Sequence, residues 1–107
     1  MEEKVTFYSD GIPLVGSIWI PDDYRKGERL PGVISVHGIT VDYRIGGAKT
    51  GHQALQAQYL NKAGYIVLSF NFRGFGESGG ERKTVTMMEE VSDLRNAITY
   101  LQQRPEI

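Results

Sequence analysis

Gly32-Val33-Ile34-Ser35-Val36-His37-Gly38-Ile39-Thr40 is the stretch on which the fold of this 107-residue chain turns. Its first five residues form a short, nearly continuous apolar run, as do Ile66-Val67-Leu68-Ser69-Phe70, and such runs suit strands buried on both faces. Between the two runs Leu55, Tyr59, Leu60 and Ala63 recur at helical spacing, and Gly64 stands where a left-handed C-terminal cap belongs. The reading is strand, helix Ala54 to Ala63, strand, with adjacent parallel strands and a right-handed crossover. A second helix follows. Met88, Val91, Leu94, Ile98 and Leu101 mark one face, Thr86 and Glu89 have capping-box spacing, and Pro105 stops it. Upstream, Val5 to Tyr8 and Leu14 to Ile20 are β-branched and aromatic runs joined by the turn signal Ser9-Asp10-Gly11, which predicts a hairpin ended by Pro21. The pattern is that of a single α/β domain.

Composition bounds what such a domain does. Twelve Lys and Arg stand against 13 Asp and Glu, a formal charge of −1, which supplies no electrostatic footprint for a nucleic-acid backbone. The charges of Tyr24 to Leu30 balance, as in a solvated loop. No apolar run approaches a membrane span and no signal-peptide core follows Met1, so neither a membrane nor a nucleic-acid partner is expected, and the expected compartment is the cytoplasm. Without cysteine there is no disulfide framework, thiolate zinc site or cysteine nucleophile. His37 and His52 lack clustered acids, so no metal and no cofactor is expected.

Glycine is the compositional excess, and much of it lies in two loops after the parallel strands, at Gly46, Gly47 and Gly51 and at Gly74, Gly76, Gly79 and Gly80. In such sheets ligands bind at the carboxyl ends of the strands. Gly74-x-Gly76-x-x-Gly79 has dinucleotide spacing, but Glu77 would put a carboxylate in the anion site and Asp93, about twenty residues on, falls inside a helix rather than at a strand end. Gly76-x-Ser78-x-Gly80 has the form of a nucleophile elbow, yet Asn71 to Glu77 separate Ser78 from its strand and a polar loop follows, so Ser78 reads as a turn residue. Lys49-Thr50 fail as a Walker A ending because Tyr43 and Ala48 hold the required glycine positions. The turn His37-Gly38-Ile39-Thr40 is more informative. It points backbone N–H groups across a strand's carboxyl end, where an acyl-transfer oxyanion needs donors; the alternative is a plain turn in which His37 packs.

Taken in order, Phe7 to Pro21, Val33 to Gly38, Ala63-Gly64-Tyr65 and Asn71 to Ser78 resemble the N-terminal half of the α/β-hydrolase superfamily, nearest its esterase, dienelactone-hydrolase and serine-peptidase branches. The resemblance covers nearly the whole chain. Asn71 departs from the Asp usual there. The resemblance implies strand order 1-2-4-3, the Ile39 N–H in an oxyanion hole, Thr40 on the pocket rim, and Arg73 and Ser78 as structural loop residues. It also implies that the nucleophile elbow, acid and histidine follow residue 107, so that residues 1–107 are a partial domain lacking its C-terminal half. The parent would hydrolyse a carboxylic ester or amide, while this chain alone would be nearly inert. The competing readings are a non-catalytic α/β module or half of a two-chain assembly, and more remotely a small nucleotide-binding protein. In the order 1-2-4-3 the strand Val33 to Val36 is an unprotected edge, open to self-association or to a C-terminal half.

Overall fold

Asp10 and Gly11 carry φ of 52° and 80°, the positive pair that a two-residue hairpin turn needs to match strand twist. They join β1, Glu2–Ser9, to β2, Ile12–Trp19, paired antiparallel from Glu2 opposite Trp19 to Ser9 opposite Ile12. The structure, a computed structural model, describes residues 1–36, 52–81 and 84–107. The two apolar runs are strands: β3, Gly32–Val36, lies parallel to β4, Ile66–Phe70, with Ile34 opposite Leu68. The other side of β4 pairs antiparallel with β2, so the sheet runs β1-β2-β4-β3, the expected order.

Pairing β2 to β4 depends on Gly16, which stands opposite Phe70. A Cβ there would collide with the Ser69 carbonyl oxygen and lie 2.8 Å from the Phe70 Cα, so only glycine allows this approach. Alternation along β4 then divides the core. Ile66, Leu68 and Phe70 join Val5, Phe7, Leu14 and Ile18 on one face, while Val67 joins Trp19 on the other. Phe7 meets Phe70 edge-on at 5.4 Å and stacks on Tyr100 at 5.0 Å, placing aromatic mass at the centre of the larger core.

The helix α1, His52–Lys62, covers the Trp19 side. Its end is the predicted one: Gly64 has φ 94°, and the Tyr65 and Gly64 N–H groups donate to the Leu60 and Asn61 carbonyls in the pattern of a Schellman cap. Its buried face keeps only Leu60 of the predicted one. Ala54, Ala57 and Leu60 face the sheet, while Leu55 and Tyr59 are 53% and 67% exposed and Ala63 is exposed too. Small side chains seat this helix close against Trp19 and Val67; the larger residues are held outward, Tyr59 beneath the Lys62 ammonium at 5.9 Å.

On the other face lies α2, Met87–Gln102, opened by the predicted capping box: Glu89 N–H donates to Thr86 Oγ1 and Thr86 N–H donates to Glu89 Oε1. Here the expected stripe is met in part, with Leu101 buried and Leu94 packed against the core. Glu90, Asp93, Ala97 and Leu101 are buried, whereas Met88, Val91 and Ile98 are exposed. The reason is electrostatic. Asp93 is wholly buried and must meet a buried cation, which turns the helix toward the hairpin and leaves Val91 and Ile98 outside.

Candidate functional site at the carboxyl edge of the sheet

Parallel β3 and β4 end together, Val36 opposite Phe70, and the residues after β4 share that edge with the hairpin turn and the first turn of α2. His37, Gly38, Ile39 and Thr40, expected to supply oxyanion donors and a pocket rim, lie outside the described residues, as do Gly46 to Gly51 and the side chain of His52.

The loop after β4 is described and is knotted on itself. Gly74 N–H donates to the Gly79 carbonyl at 2.7 Å, Phe75 N–H to Phe72, Ser78 N–H to Phe75, and Gly79 N–H to the Pro13 carbonyl at 2.7 Å. With the Gly74 and Gly79 donors committed to carbonyls of the loop and of β2, these two glycines of the dinucleotide spacing serve tight turns. Gly76, at φ 52°, lies so close to the Asn71 amide that any Cβ would strike it.

Ser78 is equally committed. Its Oγ donates to the Asn71 carbonyl at 2.6 Å and accepts from Val15 N–H at 2.9 Å, in a residue 9% exposed. A nucleophile needs its proton held by a base. The Ser78 proton is held by a carbonyl, and its acceptor site binds β2 to the loop, so the residue is structural, as the resemblance implied.

Arg73 organises the charges of this edge. Its Nε and Nη2 donate to Asp93 Oδ1 at 3.0 and 2.8 Å, its backbone N–H donates to Asp93 Oδ2 at 2.9 Å, Nη2 also reaches Asp10 Oδ2 at 2.8 Å, and Nη1 reaches Glu89 Oε2 at 3.1 Å. Ser9 Oγ donates to Asp93 Oδ1 and itself accepts from Asn96 Nδ2; Ser92 Oγ donates to Asp10. One side chain thus joins the hairpin turn, the loop after β4 and α2. Its hydrogen bonds to Asp93 raise the guanidinium above its ordinary value against the opposing effect of burial. Asp10 is held below the usual carboxylate range by Arg73 and then Ser92; Glu89 is lowered first by the Thr86 backbone N–H.

Glu90 runs the other way. Burial, then the neighbouring Asp93, pushes its carboxyl up, and its Oε2 finds no hydrogen-bond partner among the described residues. No group of three or more metal-ligating side chains occurs among the described residues, and no helix there is long and apolar enough to cross a membrane. The clamp of Arg73 was missed as a network by sequence reasoning. Its signal was Asp93, an acid placed among the inward positions of a capped helix, which demands a buried cation.

Comparison with known proteins agrees with this geometry. The family model for X-Pro dipeptidyl-peptidase (S15 family) matches residues 10–107. An uncharacterized Pseudomonas aeruginosa protein, PA2218, is 29% identical over 106 residues, 97% of this chain and 27% of that protein. Its crystal structure superposes with a TM-score of 0.81 at 28% identity, covering 100% of this chain and 32% of that one. Est1E from Butyrivibrio proteoclasticus, with ferulic acid bound, gives a TM-score of 0.84 at 22% identity over 96% of this chain and 39% of its own. The α/β hydrolase GrgF from Penicillium sp. sh18 gives 0.77 at 22% identity over 98% and 33%. The last two show a shared α/β-hydrolase fold. This chain spans 27% of the curated relative's length and 32% to 39% of these structures.

Proposed function

The chain belongs to the X-Pro dipeptidyl-peptidase (S15) family of the α/β-hydrolase superfamily, and from that premise we propose that it is the N-terminal portion of a serine hydrolase acting on carboxylic esters or amides. The observation that carries this reading is the family match over residues 10–107, on a sheet whose parallel strands end together at one edge. The family's name favours an amide after proline, and the ferulic acid bound to Est1E, a carboxylic acid, fits the product side of ester cleavage.

In this reading the parent supplies serine, histidine and acid from residues beyond 107. Serine Oγ attacks the carbonyl carbon as its proton passes to histidine; the tetrahedral oxyanion forms, the leaving group departs with that proton, and water then releases the acyl group. The chain described here supplies the Ile39 N–H to the oxyanion and Thr40 to the pocket rim. In this reading Arg73 is a positioning residue, whose clamp joins the hairpin turn, the loop after β4 and α2.

The test uses the parent protein with an Xaa-Pro p-nitroanilide and a p-nitrophenyl ester. Ile39→Pro deletes one N–H donor, and loss of a single oxyanion donor costs about 10²–10³ in kcat. That loss, with KM changed much less, is the expected outcome. An unchanged kcat removes Ile39 from the oxyanion hole, and inertness of the wild-type parent toward both substrates removes the hydrolase reading.

A further inference from the structure

Asp10-Gly11 is the single Asp-Gly or Asn-Gly pair of the sequence. Asp22, Asp23, Asp42 and Asp93 each precede a residue whose side chain crowds the following amide nitrogen. Gly11 leaves that nitrogen open, and even a Cβ added there would meet nothing within 4 Å. The pair makes up the whole turn between Ser9 and Ile12, with φ of 52° and 80°. The Asp10 side chain is 55% exposed, yet its carboxylate is held, because Arg73 Nη2 and Ser92 Oγ both donate to Oδ2, at 2.8 and 2.7 Å. A reactive dipeptide and its restraint thus stand together at the hairpin turn.

We propose that Asp10-Gly11 is a site of spontaneous aspartate isomerisation, and that Arg73 and Ser92 form the latch that holds the reaction back. The Gly11 amide nitrogen gives up its proton and bonds to Asp10 Cγ. A Cγ–O bond of the protonated carboxyl group breaks, and that oxygen leaves as water, closing a five-membered imide. Water then adds to either imide carbonyl. Opening at the Asp10 main-chain carbonyl leaves the chain running through Cγ as isoaspartate, whereas opening at Cγ restores aspartate; no oxidant or reductant takes part. The fold restrains both reacting groups. A carboxylate that accepts two charge-assisted bonds stays ionised, and an ionised oxygen is a poor leaving group. The Gly11 nitrogen is fixed by the pairing of Ser9 with Ile12, and Ser9 is itself tied to Asp93 and Asn96. Arg73 is in turn held against Asp10 by Asp93 and Glu89, so release of the Asp10 carboxylate from Arg73 and Ser92 governs the native rate. Isoaspartate adds a carbon to the main chain of a two-residue turn and moves the carboxylate onto Cα, away from Arg73. The link from the turn to α2 through Asp10 is then lost, while that through Asp93 stays. This chemistry stands apart from the proposed catalysis.

Ageing the protein at neutral pH, natively and in concentrated urea, followed by peptide mapping, tests the proposal. Isoaspartate is read as a peptide of unchanged mass and altered retention, confirmed by electron-transfer fragmentation, and the imide as a peptide lighter by one water. In urea, wild type and Ser92→Ala should form isoaspartate at Asp10 at the same rate. Natively, Ser92→Ala should react roughly threefold faster or more, because one of the two donors on the carboxylate is gone. Alanine favours a helix more than serine does, so a faster native reaction does not come from a weakened α2. Ser92→Thr keeps the hydroxyl and should match wild type. If circular dichroism shows that Ser92→Ala misfolds, Ser92→Cys, whose thiol is a weak donor, takes its place. Equal native rates for wild type and the donor-deficient variant overturn the latch, as does an acceleration of the same size in urea. Absence of isoaspartate at Asp10 in urea, or its faster formation at another aspartate, overturns the site.

Discussion

Replacing Arg73 by methionine removes the cation while keeping most of the stem, and leaves Asp93, wholly buried, with only Ser9 Oγ and the backbone N–H of residue 73 as donors among the described residues. Breaking a buried pair by removing one partner typically costs about 3–5 kcal/mol, against about 5–15 kcal/mol for the net stability of a whole domain. The other two carboxylates matter far less. Asp10 and Glu89 are 55% and 40% exposed on their side chains, where exposed pairs contribute about 0–1 kcal/mol. The expected order of loss is therefore Arg73→Met well above Asp10→Asn and Glu89→Gln. Restoring apolar character on both sides, as Arg73→Met with Asp93→Leu, should recover part of the loss, since a buried pair exchanged for apolar groups is often neutral. Arg73→Lys keeps the charge but loses the fork that bonds Asp93 twice, so it falls between wild type and Arg73→Met. Urea unfolding followed by fluorescence of Trp19, the single tryptophan and 6% exposed, measures each value. A loss below about 1 kcal/mol for Arg73→Met, or an equal loss for Asp10→Asn, refutes the clamp as the element that joins hairpin, loop and α2.

Ser78→Ala removes the side-chain acceptor of the Val15 N–H, and an unsatisfied buried group costs about 1–3 kcal/mol; an unchanged urea midpoint would mean that Ser78 does not bind β2 to the loop. Gly16→Ala forces a methyl into the Ser69 carbonyl and the Phe70 backbone, so a loss of roughly 1–3 kcal/mol or more is expected from the crowding of β2 against β4, and a neutral result would mean that the pairing is looser than described. Glu90 has a raised carboxyl pKa, so the folded state disfavours its charge at neutral pH and the penalty disappears as pH falls through that pKa. Thermal melts should show Glu90→Gln more stable than wild type at pH 7 and equal to it in acid; a pH-independent difference would mean that burial of the charge is not the cause. Asp10 and Glu89 have lowered values, so their stabilisation is present at neutral pH and fades as pH falls through their folded pKa, giving Asp10→Asn a smaller effect in acid than at pH 7.

Element identity was legible wherever local chemistry decides it. The Asp10-Gly11 turn, the Thr86 and Glu89 cap and the Gly64 terminus each follow from backbone geometry that few residues satisfy. Helix orientation was less legible, because counting large apolar residues takes no account of what the opposing surface accepts. The sheet over α1 accepts alanines, so Leu55 and Tyr59 stay outside; the surface under α2 presents Arg73, so Asp93 turns inward beside Leu94 and Leu101 while Val91 and Ile98 stay outside. The site divides the same way. The structural roles of Arg73 and Ser78 are visible in their bonds, whereas Ile39 and Thr40 lie outside the described residues and rest on the proposal alone.

The central claim of the proposed function is that the nucleophile is a serine beyond residue 107 and not Ser78. Incubating the 107-residue chain with a fluorophosphonate and measuring its intact mass tests that claim most directly, with the parent protein treated in parallel. The account predicts no mass shift for the chain and a single adduct on the parent, at a serine beyond residue 107. Stoichiometric labelling of the chain at Ser78 would contradict it.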